Sequence, residues 1–251
     1  MIAELALFIF TTLAGIAAGA YIAKSIFPLK ADREKPWMFG LVMLVLLGIS
    51  GIALLMHLGH PERVMLAFTN LGAGIAQEGV ATILFGLAVV ADTVLGFMGK
   101  PTPRVVDGLA AIFGLLLTIA MGLTYYNFLG TAAWATPATV AFFVLGSLAM
   151  GAGAYLLFNR EALTEGAFGA YNVAVQVCAA IAICAVVAAF MAAEQSIVLL
   201  VAGLVIGPVA AAIAGYMAKS KPNANMATVV CAAAIVGIAI ARYGFYTASI
   251  L

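Results

Sequence analysis

The chain contains 251 residues, of which 66% are hydrophobic and only 8% charged, and its mean hydropathy is +1.19. Soluble domains need roughly a quarter or more charged residues to cover their surface, so water is not the main solvent of this chain. The net charge of +1 argues against a nucleic-acid partner, because neutralising phosphates requires concentrated Lys and Arg.

Eight long apolar runs follow one another along the chain. A helix needs about 20 apolar residues to cross the hydrocarbon core of a bilayer, and the runs are too continuous for the alternating strands of a membrane barrel. They predict an all-α polytopic membrane protein, with residues 1–251 forming a single bundle. The predicted transmembrane helices are 2–23, 38–57, 73–98, 106–126, 138–158, 168–191, 197–217 and 226–248. The first run lacks a basic leader and a cleavage site, which indicates a retained helix.

Small residues recur at four-residue spacing within these runs, for example Gly15 with Gly19 and Ser147 with Gly151. Such spacing lets helix backbones approach closely in lipid. Pro208 is the clear internal break in a predicted span. The three cysteines lie in apolar runs without CxxC spacing, which is typical of packing residues rather than metal ligands, so we expect no metal site.

The distribution of Lys and Arg predicts the orientation, because cytoplasmic loops carry the excess of basic residues. The even-numbered loops contain Arg63 alone, and Arg242 lies inside the last span. All other basic residues fall in the odd-numbered loops: Lys24, Lys30, Arg33, Lys35, Lys100, Arg104, Arg160, Lys219 and Lys221. We therefore expect both termini on the extracytoplasmic side.

Ionisable residues at membrane depth are costly and so mark functional candidates. His57 ends the second span, Glu78 lies early in the third, and Arg242 lies about two turns before the end of the eighth, so all three share one leaflet. One interpretation is a structural Glu78–Arg242 ion pair with His57 capping a helix. The other is a binding site, because a quinone needs a hydrogen-bond donor, a proton acceptor and an apolar channel.

Haem commonly requires axial histidines that face each other from separate helices. The only histidines, His57 and His60, lie three residues apart at one helix end, so we expect no haem. Asp92 and Asp107, near the cytoplasmic ends of the third and fourth spans, are interpreted as groups at solvated helix ends. Gln77 is able to bond a ligand, although solvation of a helix start is the simpler interpretation.

Three stretches make the chain resemble the membrane anchor subunits of dimethyl sulfoxide reductase and its relatives. Residues 57–63, His-Leu-Gly-His-Pro-Glu-Arg, followed by Gln77 and Glu78, are similar to the family's HLG-x-P-x-R segment with its later acidic residue. Residues 133–137, Ala-Trp-Ala-Thr-Pro, resemble a PAWNTP-like element. Residues 242–246, Arg-Tyr-Gly-Phe-Tyr, are similar to the family's C-terminal R-x-x-F-Y.

The resemblance implies a subunit of the prokaryotic cytoplasmic (inner) membrane that oxidises menaquinol and passes electrons to an iron–sulfur subunit. That subunit would feed a molybdopterin catalytic subunit on the extracytoplasmic side, docked through outer loops that include Trp134. His57 and Glu78 would be the catalytic residues of quinol oxidation. The expected quinol-binding set is His57, Glu78, Arg63, Gln77, Arg242 and Tyr246.

Three alternatives remain open from the sequence. The first is a quinone-coupled, proton-translocating anchor of the polysulfide reductase type, which would need polar residues across the whole bilayer. The second is a small-solute transporter, which usually has discontinuous helices and a polar site near the midplane. The third is a purely structural anchor without a redox role.

Overall fold

The computed structural model describes residues 2–29, 35–58, 60–220 and 224–247, and all regular elements within these ranges are helical. Eight helices are long and apolar enough to span a membrane, which confirms the prediction, and their ends differ from the predicted ones by at most three residues. They are α1 Ile2–Ile26, α2 Trp37–His57, α3 Gly74–Phe97, α4 Arg104–Tyr126, α5 Pro137–Leu156, α6 Gly166–Ala192, α7 Val198–Lys219 and α8 Ala224–Thr247.

The helices form two groups around a shared centre. In the first group α1 packs on α2 and α4, and α3 packs on both α2 and α4; in the second, α5 packs on α6 and α8, and α7 packs on both α6 and α8. The groups join where α1 meets α5. These two helices are the most buried spans, with 67% and 72% of an 18-residue apolar window inside the protein, whereas the outer helices expose more apolar side chains. Several buried polar groups lie on or against α1, among them Thr11, Lys24 and Arg242.

The crossing of α1 and α5 uses the small residues that the sequence predicts. Gly15 lies against Ser147, and Gly19 lies against Gly151 and the carbonyl of Ser147. A side chain at Gly19 would collide with backbone atoms rather than with a movable side chain. The predicted role of this spacing in close packing is confirmed.

Replacing Gly19 by Val is therefore expected to destabilise the protein by about 3 kcal/mol, the upper part of the usual range for overpacking. Thermal unfolding in mild detergent would measure the loss. Gly48 of α2 provides a matched control, because a Cβ there meets no atom within 4 Å. Equal unfolding temperatures for the Gly19→Val and Gly48→Val variants would show that the crossing is not tightly packed.

Helix α7 is interrupted as the sequence predicts. A π-helical turn at Val205–Val209 contains Pro208, and Gly207 departs from helical geometry with φ −89° and ψ −105°. Pro208 removes a backbone donor and breaks the regular ladder. The interrupted segment is packed against α8, because Gly207 lies directly on the backbone of Gly237. The interruption thus shapes a helix crossing.

The two ends of the bundle differ in chemistry. The end that holds His57, the start of α3 and the end of α8 is called the histidine end. The opposite end, which holds the end of α1, the end of α3 and the start of α4, is called the basic end. At the histidine end, α2 and α3 are joined by a short 3₁₀ turn, Pro61–Arg63, and a single helical turn, Val64–Ala67.

Candidate functional site

His57 and Glu78 lie at nearly the same depth on neighbouring helices. The antiparallel contacts of α2 and α3 follow one register: Trp37 with Gly96, Gly40 with Thr93 and Leu47 with Gly86. Carried to the histidine end, this register places His57 opposite Ala76. Because Ala76 is two residues from Glu78, the two candidate side chains differ in depth by about 3 Å.

Glu78 is the buried carboxylate of this end, only 3% exposed. It lies four residues into α3 and on the same face as the buried residues Ala81 and Phe85, so the helix itself directs it inward. Its carboxyl group interacts with the Thr124 hydroxyl of α4, but Oε1 is buried and has no hydrogen-bond partner among the described residues. A buried, unpaired carboxylate oxygen is costly and calls for a ligand or a proton.

His57 has a similar unpaired atom. Its side chain is half-buried at the last residue of α2, and its Nδ1 is buried without a hydrogen-bond partner in the described part of the chain. His60 differs, because its exposed ring lies 2.9 Å from the Glu62 carboxylate. Of the two histidines, His57 is thus the one with free bonding capacity inside the protein.

Two tyrosines extend the polar region behind Glu78. Tyr125 of α4 and Tyr246 of α8 are buried, their hydroxyls are hydrogen-bonded to each other, and both lie within electrostatic range of Glu78. The Tyr246 hydroxyl is also 3.0 Å from the Thr11 hydroxyl of α1. This row of hydroxyls leads from the site toward the centre of the bundle.

Arg242 lies at the inner end of that row and is fully buried. Its guanidinium donates to the carbonyls of Thr11 and Phe143 and, at 2.8 Å, to the Ser147 hydroxyl. No carboxylate among the described residues forms an ion pair with it, so the structural Glu78–Arg242 pair considered from the sequence is wrong. Arg242 instead ties α1, α5 and α8 together through carbonyl and hydroxyl oxygens.

Trp134 closes the histidine end from the α4–α5 loop. Its ring stacks on Phe245 with centroids 5.1 Å apart, and its Nε1 donates to the Phe245 carbonyl at 2.9 Å. Only 5% of the residue is exposed. Trp134 therefore anchors the loop to α8, and docking through this loop stays a prediction. The exposed stretch of the loop, 127–130, includes the large apolar side chains of Phe128 and Leu129.

An apolar groove of about 380 Å³ runs beside the site between α3 and α4. Its walls are aliphatic and aromatic, among them Leu84, Phe113 and Leu116, and its polar lining residue is Gln77. Gln77 is exposed, and its Nε2 lies 3.5 Å from the Gly72 carbonyl, so its amide is loosely held. The volume falls within the range of small-molecule pockets. The side chain of Arg63, the remaining predicted binding residue, lies outside the described residues.

A charged cluster at the basic end corrects two sequence interpretations. Lys24 lies in the last turns of α1 rather than in a loop, and its Nζ is 2.6 Å from Asp92 and 3.0 Å from Asp107. Both aspartates are buried, at 5% and 4% exposure, and are not solvated helix ends. Tyr21 also donates to Asp92 at 2.7 Å. The sequence did contain a signal for this cluster: Asp92 and Asp107 lie near helix ends at the same predicted depth as Lys24.

Eight helices that are long and apolar enough to span a membrane define a multi-pass integral membrane protein. A buried carboxylate, Glu78, and a half-buried histidine, His57, share one end of its bundle. The chain belongs to the DMSO reductase anchor subunit (DmsC) family, whose model matches residues 1–247. The family predicted from three short stretches is thereby confirmed. No sequence among the curated proteins matches the chain. The protein is a membrane anchor subunit of a DMSO reductase-type complex, which implies catalytic subunits as its partners.

Proposed function

We propose that this anchor subunit oxidises menaquinol at the histidine end and passes the electrons to an iron–sulfur partner, which supplies a molybdopterin subunit. One observation supports the proposal: Glu78 Oε1 and His57 Nδ1 are both buried, neither has a hydrogen-bond partner among the described residues, and they lie at nearly equal depth on adjacent helices. A quinol offers hydroxyl groups that pair with such atoms. The groove between α3 and α4, which is lined by Ala76, Gln77 and Ala81 on either side of Glu78 in the sequence, supplies an apolar surface.

Hydrogen bonding and proton transfer are assigned to different residues of the site. His57 bonds one quinol hydroxyl and fixes its position. Glu78 accepts a proton, because its free oxygen lies in an apolar setting where an added proton removes a buried charge. Tyr125 and Tyr246 hold the wall behind Glu78, and Arg242 fixes Tyr246 by joining α8 to α1. Gln77 bonds the ligand from the groove, and the role of Arg63 stays a prediction from the sequence.

The iron–sulfur and molybdopterin subunits are proposed to dock on the histidine end, on the extracytoplasmic side of a prokaryotic cytoplasmic membrane. Large apolar side chains are exposed in the α2–α3 and α4–α5 connections of this end: Met65, Leu66, Leu71, Phe128 and Leu129. Such side chains are suited to a partner interface. This location keeps the electron acceptor on the same side as His57 and Glu78.

The structure gives the rival functions little support. Between Glu78 and Asp92, about 21 Å along α3, the buried residues are Ala81, Phe85, Ala88 and Val89. This apolar stretch lacks the side chains that a transmembrane proton path along α3 would need. The interruption in α7, which gave the transporter alternative its main support, is filled by the packing of Gly207 on α8.

Replacing His57 by Leu tests the proposal, because Leu has no polar atom at the position of Nδ1. Losing one hydrogen bond of about 1 to 1.5 kcal/mol should raise the KM for menaquinol about tenfold, with less menaquinone co-purifying and the partner subunits still bound. His60→Leu is the matched control, since His60 is exposed at the same end, and we expect less than about a twofold effect. Quinol turnover, subunit retention and bound quinone are measured on the same preparation. Unchanged KM and quinone content in His57→Leu would refute the proposed site, and equal losses in both variants would show that the effect is not specific to it.

A further inference from the structure

A second cavity, of about 310 Å³, opens at the basic end. It lies just beyond the ends of α1 and α3 and before the start of α4. Among the described residues, three basic side chains, Lys24, Lys100 and Arg104, line it together with one carboxylate, Asp107. The rest of its wall is mainly apolar or glycine and includes Pro28, Leu29, Pro36 and Pro101.

The basic side chains around this cavity differ in whether a carboxylate contacts them. Lys24 is held between Asp92 and Asp107 and so balances one of the two buried negative charges. Lys100 and Arg104 are exposed, and neither forms an ion pair with a carboxylate in the described ranges. Arg104 donates only to the Ser25 carbonyl, at 3.3 Å. The rim therefore keeps positive charge available for an anion.

The backbone at the end of α3 fixes where Lys100 stands. Gly99 adopts a left-handed conformation, with φ 66°, and the amide of Lys100 donates to the Leu95 carbonyl at 2.9 Å. This is the usual glycine-dependent end of a helix. Lys100 and Arg104 are thus held on opposite sides of a short, proline-containing connection rather than on a long mobile loop.

The cavity lies at the level where lipid headgroups begin. Trp37 and Phe97 stack at 4.8 Å, at the ends of two apolar spans, and aromatic residues commonly occupy this membrane interface. Ile26, Phe97 and Val105 are large, exposed and apolar on the adjoining surface. A ligand with its phosphate in the cavity therefore has an apolar surface beside it for acyl chains.

We propose that this cavity binds the phosphate headgroup of one anionic phospholipid, with Lys100 and Arg104 as the charged contacts. Basic pockets between membrane helices are suited to such headgroups. Lys24 shapes the floor through its pairs with Asp92 and Asp107 and is not the principal contact. The site is separate from His57 and Glu78 and does not depend on the proposed quinol chemistry.

Native mass spectrometry of the full chain, delipidated in mild detergent and titrated with phosphatidylglycerol, tests this assignment. We expect one tightly bound lipid, and binding about 10- to 30-fold weaker in Lys100→Gln/Arg104→Gln, since each basic residue contributes about 1 kcal/mol. The control variant Arg160→Gln/Lys219→Gln removes two exposed charges that do not line the cavity and should bind as the parent protein does. Unfolding temperatures verify that all variants are folded, and Lys100→Gln alone gives a smaller change in the same direction.

Parallel titrations with phosphatidylcholine and inorganic phosphate separate the possible sources of binding. Weak phosphatidylcholine binding, together with phosphate that displaces the lipid only at far higher concentration, supports a phospholipid site. Equal binding by the two variants, equal affinity for phosphatidylcholine, or displacement by phosphate at concentrations similar to those of the lipid would each overturn it.

Discussion

Replacing Glu78 by Gln is expected to lower quinol-dependent turnover at least about 100-fold while leaving the complex assembled. General acid–base groups contribute roughly 10²- to 10⁴-fold to such steps. Glutamine preserves size and still bonds to Thr124, but it cannot accept the proton. Folding should be unaffected, because Oε1 has no hydrogen-bond partner among the described residues to lose. Steady-state oxidation of a menaquinol analogue, measured beside subunit retention, gives both quantities.

Glu62 supplies the matched control for this experiment. It lies at the same end of the protein but is exposed and interacts with His60. Glu62→Gln should retain turnover within about twofold, as expected for a surface substitution. Full turnover in Glu78→Gln would contradict the assigned role of Glu78. Loss of the partner subunits in that variant would instead assign Glu78 a structural role.

Replacing Lys24 by Met should destabilise the protein by roughly 3 to 5 kcal/mol, the usual result of leaving buried charges without their partner. Lys24 is 6% exposed and contacts two buried carboxylates from different helices. Methionine matches its length but leaves Asp92 and Asp107 facing each other without a cation. Thermal unfolding in detergent should show a large decrease in the unfolding temperature of this variant.

A compensating substitution distinguishes this charge effect from a packing effect. Adding Asp92→Asn and Asp107→Asn to the Lys24→Met chain removes the uncompensated carboxylates and should recover much of the lost stability. Lys35, which is exposed near the same end, provides a control, and its replacement by Met should cost little. Failure of the two asparagines to recover any stability would show that the cluster is held by packing alone.

The sequence predicted the spans because lipid imposes a simple rule on them. A helix that crosses the bilayer must be apolar for about 20 residues, so the eight runs were visible without tertiary information. Close packing at the small residues was also predictable, since Gly19 and Gly151 leave room for another backbone, although their spacing does not say which helices meet. Likewise Pro208 interrupts α7 through its own backbone chemistry.

The polar interior was less predictable because its partners are distant in sequence. Asp92 and Asp107 looked like solvated helix ends until the fold placed Lys24 between them. Arg242 was expected near Glu78, yet its guanidinium reaches backbone carbonyls that carry no sequence signal. Residue spacing gives the depth of a side chain in the membrane but not the helix that it faces.

Photoaffinity labelling tests the central claim most directly. A menaquinone analogue with a photoreactive group on its ring would be cross-linked to the purified complex, and peptide mass spectrometry would locate the adducts. The proposed site predicts labelling near His57 and at the start of α3, reduced in His57→Leu and by excess menaquinone. Labelling confined to other helices, or insensitive to His57→Leu and to competing menaquinone, would contradict it.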